Sequence, residues 1–189
     1  MQRTIQCSLP MDVDLLETME VYNKVVQHVI SVGWSKRTFN KYKLHTETYQ
    51  DMRKKYPQLQ SSLVQCARDM ASDILKREKF RHHKPFKKLL SGIRYNQRTF
   101  TPFLETGIIS ISTVGGRKNL QLVIPRYFQQ FVNKGKITSL TLYYNKKRSK
   151  TIAYLTVELP DIPVEEPTTF LGVDRGIKRI AVCSNNAFY

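Results

Sequence analysis

The sequence predicts an α+β fold, in which a β-barrel-like sheet carries a helical insertion after its first strand. Residues 2–9 alternate apolar and polar side chains, which is typical of a strand. Apolar residues then recur at steps of three and four within residues 12–80, and alternating runs return between residues 93 and 159. One strand, then helices, then five strands indicates a sheet interrupted by an insertion. The alternative is a helical domain followed by an independent sheet, with residues 1–9 paired elsewhere.

Each helix of the insertion is predicted from its own start and stop signals. Asp12 is a suitable N-cap for a first helix of about five turns, and Gly33 follows its last apolar position. A shorter helix is predicted over residues 47–55, before Pro57. A third amphipathic helix is predicted from about residue 61 to residue 78.

Five further strands follow a basic turn at residues 79–88. Glycines at positions 115 and 116 indicate a tight hairpin between the second and third of them. The last two are joined by residues 145–150, a turn with four cations. The predicted strands are Ile93–Phe100, Gly107–Val114, Lys118–Ile124, Ile137–Tyr144 and Thr151–Leu159.

Basic residues are concentrated in the middle of the chain. The 189 residues carry 31 Lys and Arg against 15 Asp and Glu, a net charge of +16. Residues 34–151 hold 26 of the basic and 6 of the acidic side chains. A solubilising charge is normally interspersed with the opposite sign, whereas a concentrated excess is typical of phosphate contacts. The distribution therefore favours a nucleic-acid partner over a merely solvated basic face.

Composition excludes several other classes of protein. With 41% hydrophobic and 11% aromatic residues, the chain is not disordered or of low complexity. Its apolar runs fall far short of the roughly 18–20 residues that a membrane span requires, and no secretory signal begins the sequence. Cys7, Cys66 and Cys183 are odd in number and widely spaced, which is typical of reduced core residues. We therefore expect a cytoplasmic protein without a membrane partner and without a zinc site.

Two stretches of sequence mix cations with aromatic side chains. Cations contact phosphates while aromatic rings stack on bases, so such stretches are candidate nucleic-acid contacts. The first follows the first long helix, where the tip of the insertion can meet duplex DNA. Its candidate residues are Trp34, Lys36, Arg37, Lys41 and Lys43, and those of the second stretch are Arg81, Lys84, Phe86, Lys87 and Lys88.

Both stretches also have a simpler interpretation. Trp34 and Phe39 can cap the helical core while the neighbouring lysines are solvated. Phe86 can be packed in the hydrophobic core. For this residue alone we favour that interpretation, because aromatic side chains are more often buried in the core than exposed. His82 and His83 are not predicted to bind metal, since no third ligand lies at a suitable spacing.

Two further basic features are candidate phosphate contacts. Arg94 and Arg98 are four residues apart, so on a single strand they share one face. Lys146, Lys147 and Arg148 lie in the cationic turn between the last two strands. That turn either enters an RNA groove or protects the edge of a sheet, as lysines often do.

Asp174 is the candidate catalytic and metal-binding residue. It ends an apolar strand and is followed by Gly176, which allows the chain to turn back. A carboxylate held at a sheet surface can ligate a hard divalent cation such as Mg²⁺, and two such cations clamped by several carboxylates cleave phosphodiesters. The local pattern alone favours a simpler β-turn, in which Asp174 bonds its own turn amides.

The segment from Phe170 to Ile177, together with residues 180–182, resembles the first RuvC motif of the transposon-encoded TnpB proteins and their relatives, the type V CRISPR effectors. Residues 56–63, the helix through Met70 and residues 84–88 also resemble the N-terminal half of that family. The order of the elements matches over essentially the whole chain. The order is a first strand, a helical recognition insertion, and then the remaining strands of a wedge domain. A linker and the first strands of an RNase H-like nuclease domain follow.

The resemblance implies a domain organisation. It implies a wedge-like β-barrel over residues 1–10 and 91–160, with a helical recognition insertion over residues 11–90. Residues 161–168 are the expected linker, and their region is rich in proline. Residues 169–189 are the expected start of a RuvC-like nuclease domain.

The resemblance also implies a function, that of an RNA-guided DNA endonuclease. In the family, a guide RNA is held by the wedge and RuvC regions, and a short flanking DNA motif is read by the recognition and wedge domains. Magnesium-dependent cleavage there uses an Asp, a Glu and a second Asp, and only the first has a matching position here, Asp174. The sequence ends at Tyr189, before the later acidic motifs and the family's Cys-rich zinc element.

We therefore expect an N-terminal portion that does not cut by itself, because one carboxylate cannot hold two cations. The implied partners are guide RNA, a target DNA duplex with its flanking motif, and the C-terminal nuclease portion. The alternative is a stand-alone, catalytically inactive RNA- or DNA-binding regulator, or an unrelated basic RNA-binding module.

Overall fold

The computed structural model describes residues 1–81, 83–161, 169–174 and 181–185. These residues form a mixed α/β fold of helices and antiparallel sheets. None of the described helices is long and apolar enough to cross a lipid bilayer. The elements in chain order are β1 Gln2–Leu9, α1 Val13–Ser35, α2 Lys41–Lys55, α3 Ser61–Glu78, β2 Ile93–Tyr95, β3 Phe100–Phe103, β4 Ile108–Thr113, β5 Gly116–Gln121, α4 Arg126–Val132, β6 Lys136–Asn145, β7 Lys150–Glu158, β8 Val173–Asp174 and β9 Val182–Cys183.

A four-stranded antiparallel sheet in the order β1-β7-β6-β2 brings the first strand together with strands from residues 93–158. β1 pairs with β7 over its whole length, from Gln2 opposite Glu158 to Leu9 opposite Thr151. The prediction that the first strand pairs with strands from residues 93–159 is confirmed, and the alternative of an independent sheet is wrong. The alternation in β1 explains the pairing, because Ile5, Cys7 and Leu9 all face the core.

The remaining strands β3, β4 and β5 form a separate three-stranded sheet. One bridge between Ser8 and Val123 connects it to β1. The described strands therefore form no closed barrel, which corrects the barrel-like prediction. The reason is a turn in the predicted strand 93–100: Thr99 N donates to Asn96 O at 2.9 Å, and Asn96 N donates to Thr99 Oγ1 at 3.0 Å. This turn sends β2 and β3 into different sheets.

The helical insertion lies between β1 and β2, as predicted, with α3 packed on α1 and α2 packed on both. Asp12 caps α1 by accepting a hydrogen bond from Leu15 N at 3.0 Å. α2 begins six residues earlier than predicted, because Asn40 is its N-cap and accepts from Tyr42 N at 2.9 Å. The short helix α4 was not predicted. The division into wedge and recognition domains stays a prediction.

The β4–β5 hairpin is attached to the start of α1 by a small polar cluster. Lys118 Nζ lies 3.0 Å from an Asp12 carboxylate oxygen and 2.6 Å from one of Asp14. Hydrogen bonds to Asp14 and Asp12 raise the pKa of Lys118 above its ordinary value. Thr18 Oγ1 accepts from Val114 N at 2.9 Å. These contacts hold the second sheet against the insertion.

The three cysteines form no disulfide bond with one another. Cys7 and Cys183 are buried, and Cys66 is half-buried. Burial raises the pKa of Cys7 and of Cys66 to about 11. Both thiols are therefore protonated and unreactive near neutral pH.

Candidate nucleic-acid interface

Residues 83–92, which we call the cleft segment, form the second part of the connection from α3 to β2 and lie along α1. Two side chains of α1, one turn apart, hold this irregular backbone in place. Asn23 Nδ2 donates to Leu89 O at 2.7 Å and to Ser91 O at 2.8 Å. Gln27 accepts from Lys87 N at 2.7 Å and donates to Pro85 O at 3.3 Å.

The role of Asn23 and Gln27 was not predicted from the sequence. The available signal is a pair of amide side chains four residues apart, which lie among the apolar positions of an amphipathic helix. Buried amides require hydrogen-bond partners, so such a pair indicates that an irregular backbone lies nearby.

The cleft segment forms one wall of a cleft of about 810 Å³. The other walls come from α1, α3, β2 and the outer face of β6. One acidic side chain, Glu78, is among its lining residues. The cationic and aromatic lining residues are Arg77, Lys84, Lys87, Arg94, Phe86 and Tyr143.

Phe86 faces solvent, with 79% of its surface exposed. The interpretation that it is packed in the hydrophobic core is therefore wrong. Its neighbours Pro85 and Lys87 turn their backbone polar groups towards Gln27, and this arrangement leaves the ring of Phe86 on the open side. The exposed ring lies beside Lys84 and Lys87 in the lining of the cleft.

Lys87 is half-buried in the cleft, and its ammonium group donates to Gly92 O at 3.2 Å. Burial lowers the pKa of Lys87 from its ordinary value, and the positive charges of Arg94 and Arg77 lower it further. The cations of the cleft therefore repel one another. A polyanion in the cleft would relieve that repulsion and raise the pKa of Lys87 again.

Arg94 and Arg98 do not share the face of one strand, contrary to the prediction. Arg94 lies on β2 and forms an ion pair with Asp73 of α3. Arg98 lies in the Asn96–Thr99 turn, where its N–H donates to Asn96 Oδ1 at 3.0 Å. Only Arg94 lines the cleft.

The first basic and aromatic stretch is partly used in internal packing. Trp34 is half-buried and lies 5.4 Å from the ring of Phe80, between centroids. The Arg37 guanidinium lies 5.5 Å from the Trp34 ring and donates to Phe80 O at 3.2 Å. Lys36 forms an ion pair with Glu47 at 2.5 Å.

These contacts favour the interpretation that Trp34 caps the helical core. Lys41 and Lys43 are exposed at the start of α2, and the Lys41 ammonium lies 5.3 Å from the ring of Tyr42. Arg81 and Lys88 are exposed in the connection from α3 to β2. Their contact with nucleic acid stays a prediction.

Lys146, Lys147 and Arg148 project from the tip of the β6–β7 hairpin and are exposed. Asn145 shapes the tip, since its backbone and side-chain oxygens both accept from Arg148 N at 3.2 Å. β6 and β7 are the two inner strands of their sheet. The inner position of the two strands argues against edge protection, and contact of these cations with phosphate stays a prediction.

Asp174 lies at the end of β8, where it pairs with Val182 of β9. It is exposed beside a shallow depression of about 440 Å³. Gly172 and Ser184 close this two-stranded unit, with Ser184 N donating to Gly172 O at 2.8 Å. The rest of the predicted motif, residues 175–180, lies outside the described residues, as do most of the predicted linker and His82.

The described residues do not make up a Mg²⁺ site. Asp174 is the one acidic residue among those described that line the depression. No group of three or more His, Cys, Asp or Glu side chains that could hold a metal ion occurs in the part of the chain that the structure describes. Mg²⁺ and Ca²⁺ take at least six oxygen ligands. Binding of Mg²⁺ by Asp174 therefore stays a prediction.

The chain was compared with known families and structures. No family model matches the sequence, and no curated protein matches it. Among solved structures, a chain of the cryo-EM structure of a CRISPR-Cas12f ternary complex has a similar fold, with a TM-score of 0.55 at 12% identity. The match covers 92% of the present chain and 47% of the Cas12f chain. The present chain thus spans about half the length of that protein and shares the fold of that half.

Proposed function

We propose that this chain binds a guide RNA and a target DNA duplex, as the nucleic-acid-binding portion of an RNA-guided DNA endonuclease of the TnpB type. The observation that carries the proposal is the cleft, whose described lining combines four cations and exposed aromatic rings with a single carboxylate. Its cations suit phosphates, and its rings suit bases. The similarity of the fold to a Cas12f chain from a ternary complex supports the same assignment.

The proposal gives each basic surface a role. The cleft and the tip of the β6–β7 hairpin hold RNA, because their cations are exposed or mutually repelling and gain most from phosphate. The exposed start of α2, with Lys41 and Lys43, contacts the DNA that carries the flanking motif. Asp174 supplies one ligand for Mg²⁺ in the complete nuclease.

A second candidate is a binding protein without nuclease activity, acting as a regulator or as an RNA-binding module. The observation in its favour is that the described residues bring no second carboxylate to Asp174. Both candidates require nucleic-acid binding, and they differ only in whether Asp174 takes part in cleavage.

One experiment tests the proposal and separates the two candidates. The purified chain and its Asp174→Asn variant are incubated with structured RNA, duplex DNA and Mg²⁺, with and without a fragment that supplies further RuvC carboxylates. We expect both proteins to retain RNA equally, since the substitution removes a charge while keeping the size of the side chain. We expect cutting only by the unmodified chain together with the fragment.

The outcomes are distinct. Failure of both proteins to retain RNA would contradict the proposal as a whole. Retention without cutting in any mixture would favour the binding protein. Cutting that persists in Asp174→Asn would show that Asp174 is not a catalytic ligand.

A further inference from the structure

The outer face of the four-stranded sheet carries two tyrosines in edge-to-face contact. Tyr143 of β6 and Tyr154 of β7 have ring centroids 5.4 Å apart and ring planes at 88°. Tyr143 is 48% exposed. The rings border a shallow hollow of about 380 Å³, and the other residues that line it are Thr4, Thr141 and Thr156.

Gly92 determines how Tyr143 lies. A Cβ atom at position 92 would fall within 2.8 Å of three atoms of the Tyr143 ring, so no other residue fits there without displacing the ring. Gly92 is buried, and it ends the cleft segment. The ring of Tyr143 is thus supported by the backbone on one side and by the Tyr154 ring at its edge, while much of its surface meets solvent.

The hollow is continuous with the cleft. Thr141 and Tyr143 line both of them. Arg94 is paired directly across from Thr141 in the sheet, and Tyr143 lies two residues further along β6, about 7 Å away. The cleft carries the cations, and the described lining of the hollow carries none. A ligand that is complementary to both is therefore anionic along one part and flat and uncharged along the other.

An unpaired segment of RNA has that chemistry. Its phosphates can follow the cations while its bases stack on tyrosine rings, a contact that tolerates any base sequence. Bases in a duplex are already stacked and cannot cover the rings. The threonine hydroxyls around the rings can exchange hydrogen bonds with 2′-hydroxyl groups, which RNA has and DNA lacks.

We propose that the outer face of this sheet binds unpaired RNA, with bases stacked on Tyr143 and Tyr154 and phosphates placed along Lys84, Lys87 and Arg94. This inference rests on the proposed RNA-binding function and adds which part of the RNA is bound and how. It also assigns to Gly92 the role of a positioning residue for the Tyr143 ring.

The test compares Tyr143→Ala with Tyr143→Phe, which keeps the ring. Affinity is measured by fluorescence anisotropy for an unstructured RNA of about 12 nucleotides, within the size range of single-strand sites, and for the matched RNA duplex. We expect Tyr143→Ala to weaken binding of the single strand by roughly 5- to 100-fold and binding of the duplex by less than about 3-fold. Tyr143→Phe is expected to bind like the unmodified chain. Tyr127→Ala, which removes an exposed ring on α4, is the matched control and is expected to change neither affinity.

A second measurement needs no variant. Photocrosslinking of the unmodified chain to RNA that contains 5-iodouridine is expected to label the peptides with Tyr143 or Tyr154. Crosslinks only elsewhere, an unchanged affinity of Tyr143→Ala for the single strand, or an equal loss for the duplex would each overturn the stacking site. Equal affinity for single-stranded DNA of the same sequence would overturn the assignment to RNA. If the unmodified chain bound no RNA at all, the proposed function itself would fail.

Discussion

Reversing the charges of Lys84 and Lys88 together is expected to reduce the affinity for structured RNA by roughly 100-fold, or about 3 kcal/mol. Both ammonium groups are exposed on the cleft segment, and neither forms an ion pair among the described residues. Each lysine is expected to lose a phosphate contact, and each new glutamate repels the remaining phosphates. Binding is measured by fluorescence anisotropy at physiological salt.

The matched control is Lys134→Glu with Lys136→Glu. These lysines are also exposed, at the opposite end of β6 from the cationic hairpin, and the double substitution changes the net charge by the same amount. We expect a loss of less than about 5-fold, since distant exposed charges are largely screened. Equal losses for the two double variants would show that the net charge determines binding and that the cleft segment has no special role.

Replacing Ile5 with aspartate is expected to lower the free energy of unfolding by about 4 kcal/mol or more. Ile5 is fully buried, opposite Leu155 in the β1–β7 ladder. A carboxylate there would be desolvated without a partner. Urea unfolding followed by circular dichroism measures the change, which we expect as a large fall in the midpoint or as loss of the folded state.

Gln6→Asp is the control for this substitution because it introduces the same side chain one residue along the strand, on the exposed face. We expect it to change the free energy of unfolding by about 0.5 kcal/mol or less. The comparison also tests the register, since a slip of one residue would exchange the two faces. Similar midpoints for the two variants would contradict the pairing of β1 with β7.

The sheet and the insertion were predictable because their signals are periodic. Burial of one face produces the alternation in Gln2–Leu9, and the caps Asp12 and Asn40 are side chains that bond the first turn of a helix. Asn40 shows the limit of this reasoning: its cap was available in the sequence, but the polar residues that follow it obscured the start of α2.

The features that were missed depend on contacts between distant residues or on a single local bond. The predicted strand 93–100 is interrupted at Asn96 because the Thr99 hydroxyl accepts a hydrogen bond from Asn96 N and closes a turn. Phe86 is exposed because the side chain of Gln27 forms hydrogen bonds to the backbone of Pro85 and Lys87, about 60 residues further along the chain. Likewise, the close approach of Gly92 to Tyr143 joins the residue before β2 to β6, and these two parts of the chain are neighbours only in the folded sheet. Such contacts leave no periodic signal.

The central claim is that the cleft, together with the cleft segment that forms one of its walls, binds the phosphates of nucleic acid. The most direct measurement is the salt dependence of RNA affinity for the unmodified chain and for the Lys84→Glu, Lys88→Glu variant. For roughly five phosphate contacts, the logarithm of the association constant should fall with the logarithm of salt concentration with a slope of about −4. In the variant, the slope should be shallower by about 2, one unit for each lost phosphate contact. A slope near zero in the unmodified chain, or the same slope in both proteins, would contradict the claim.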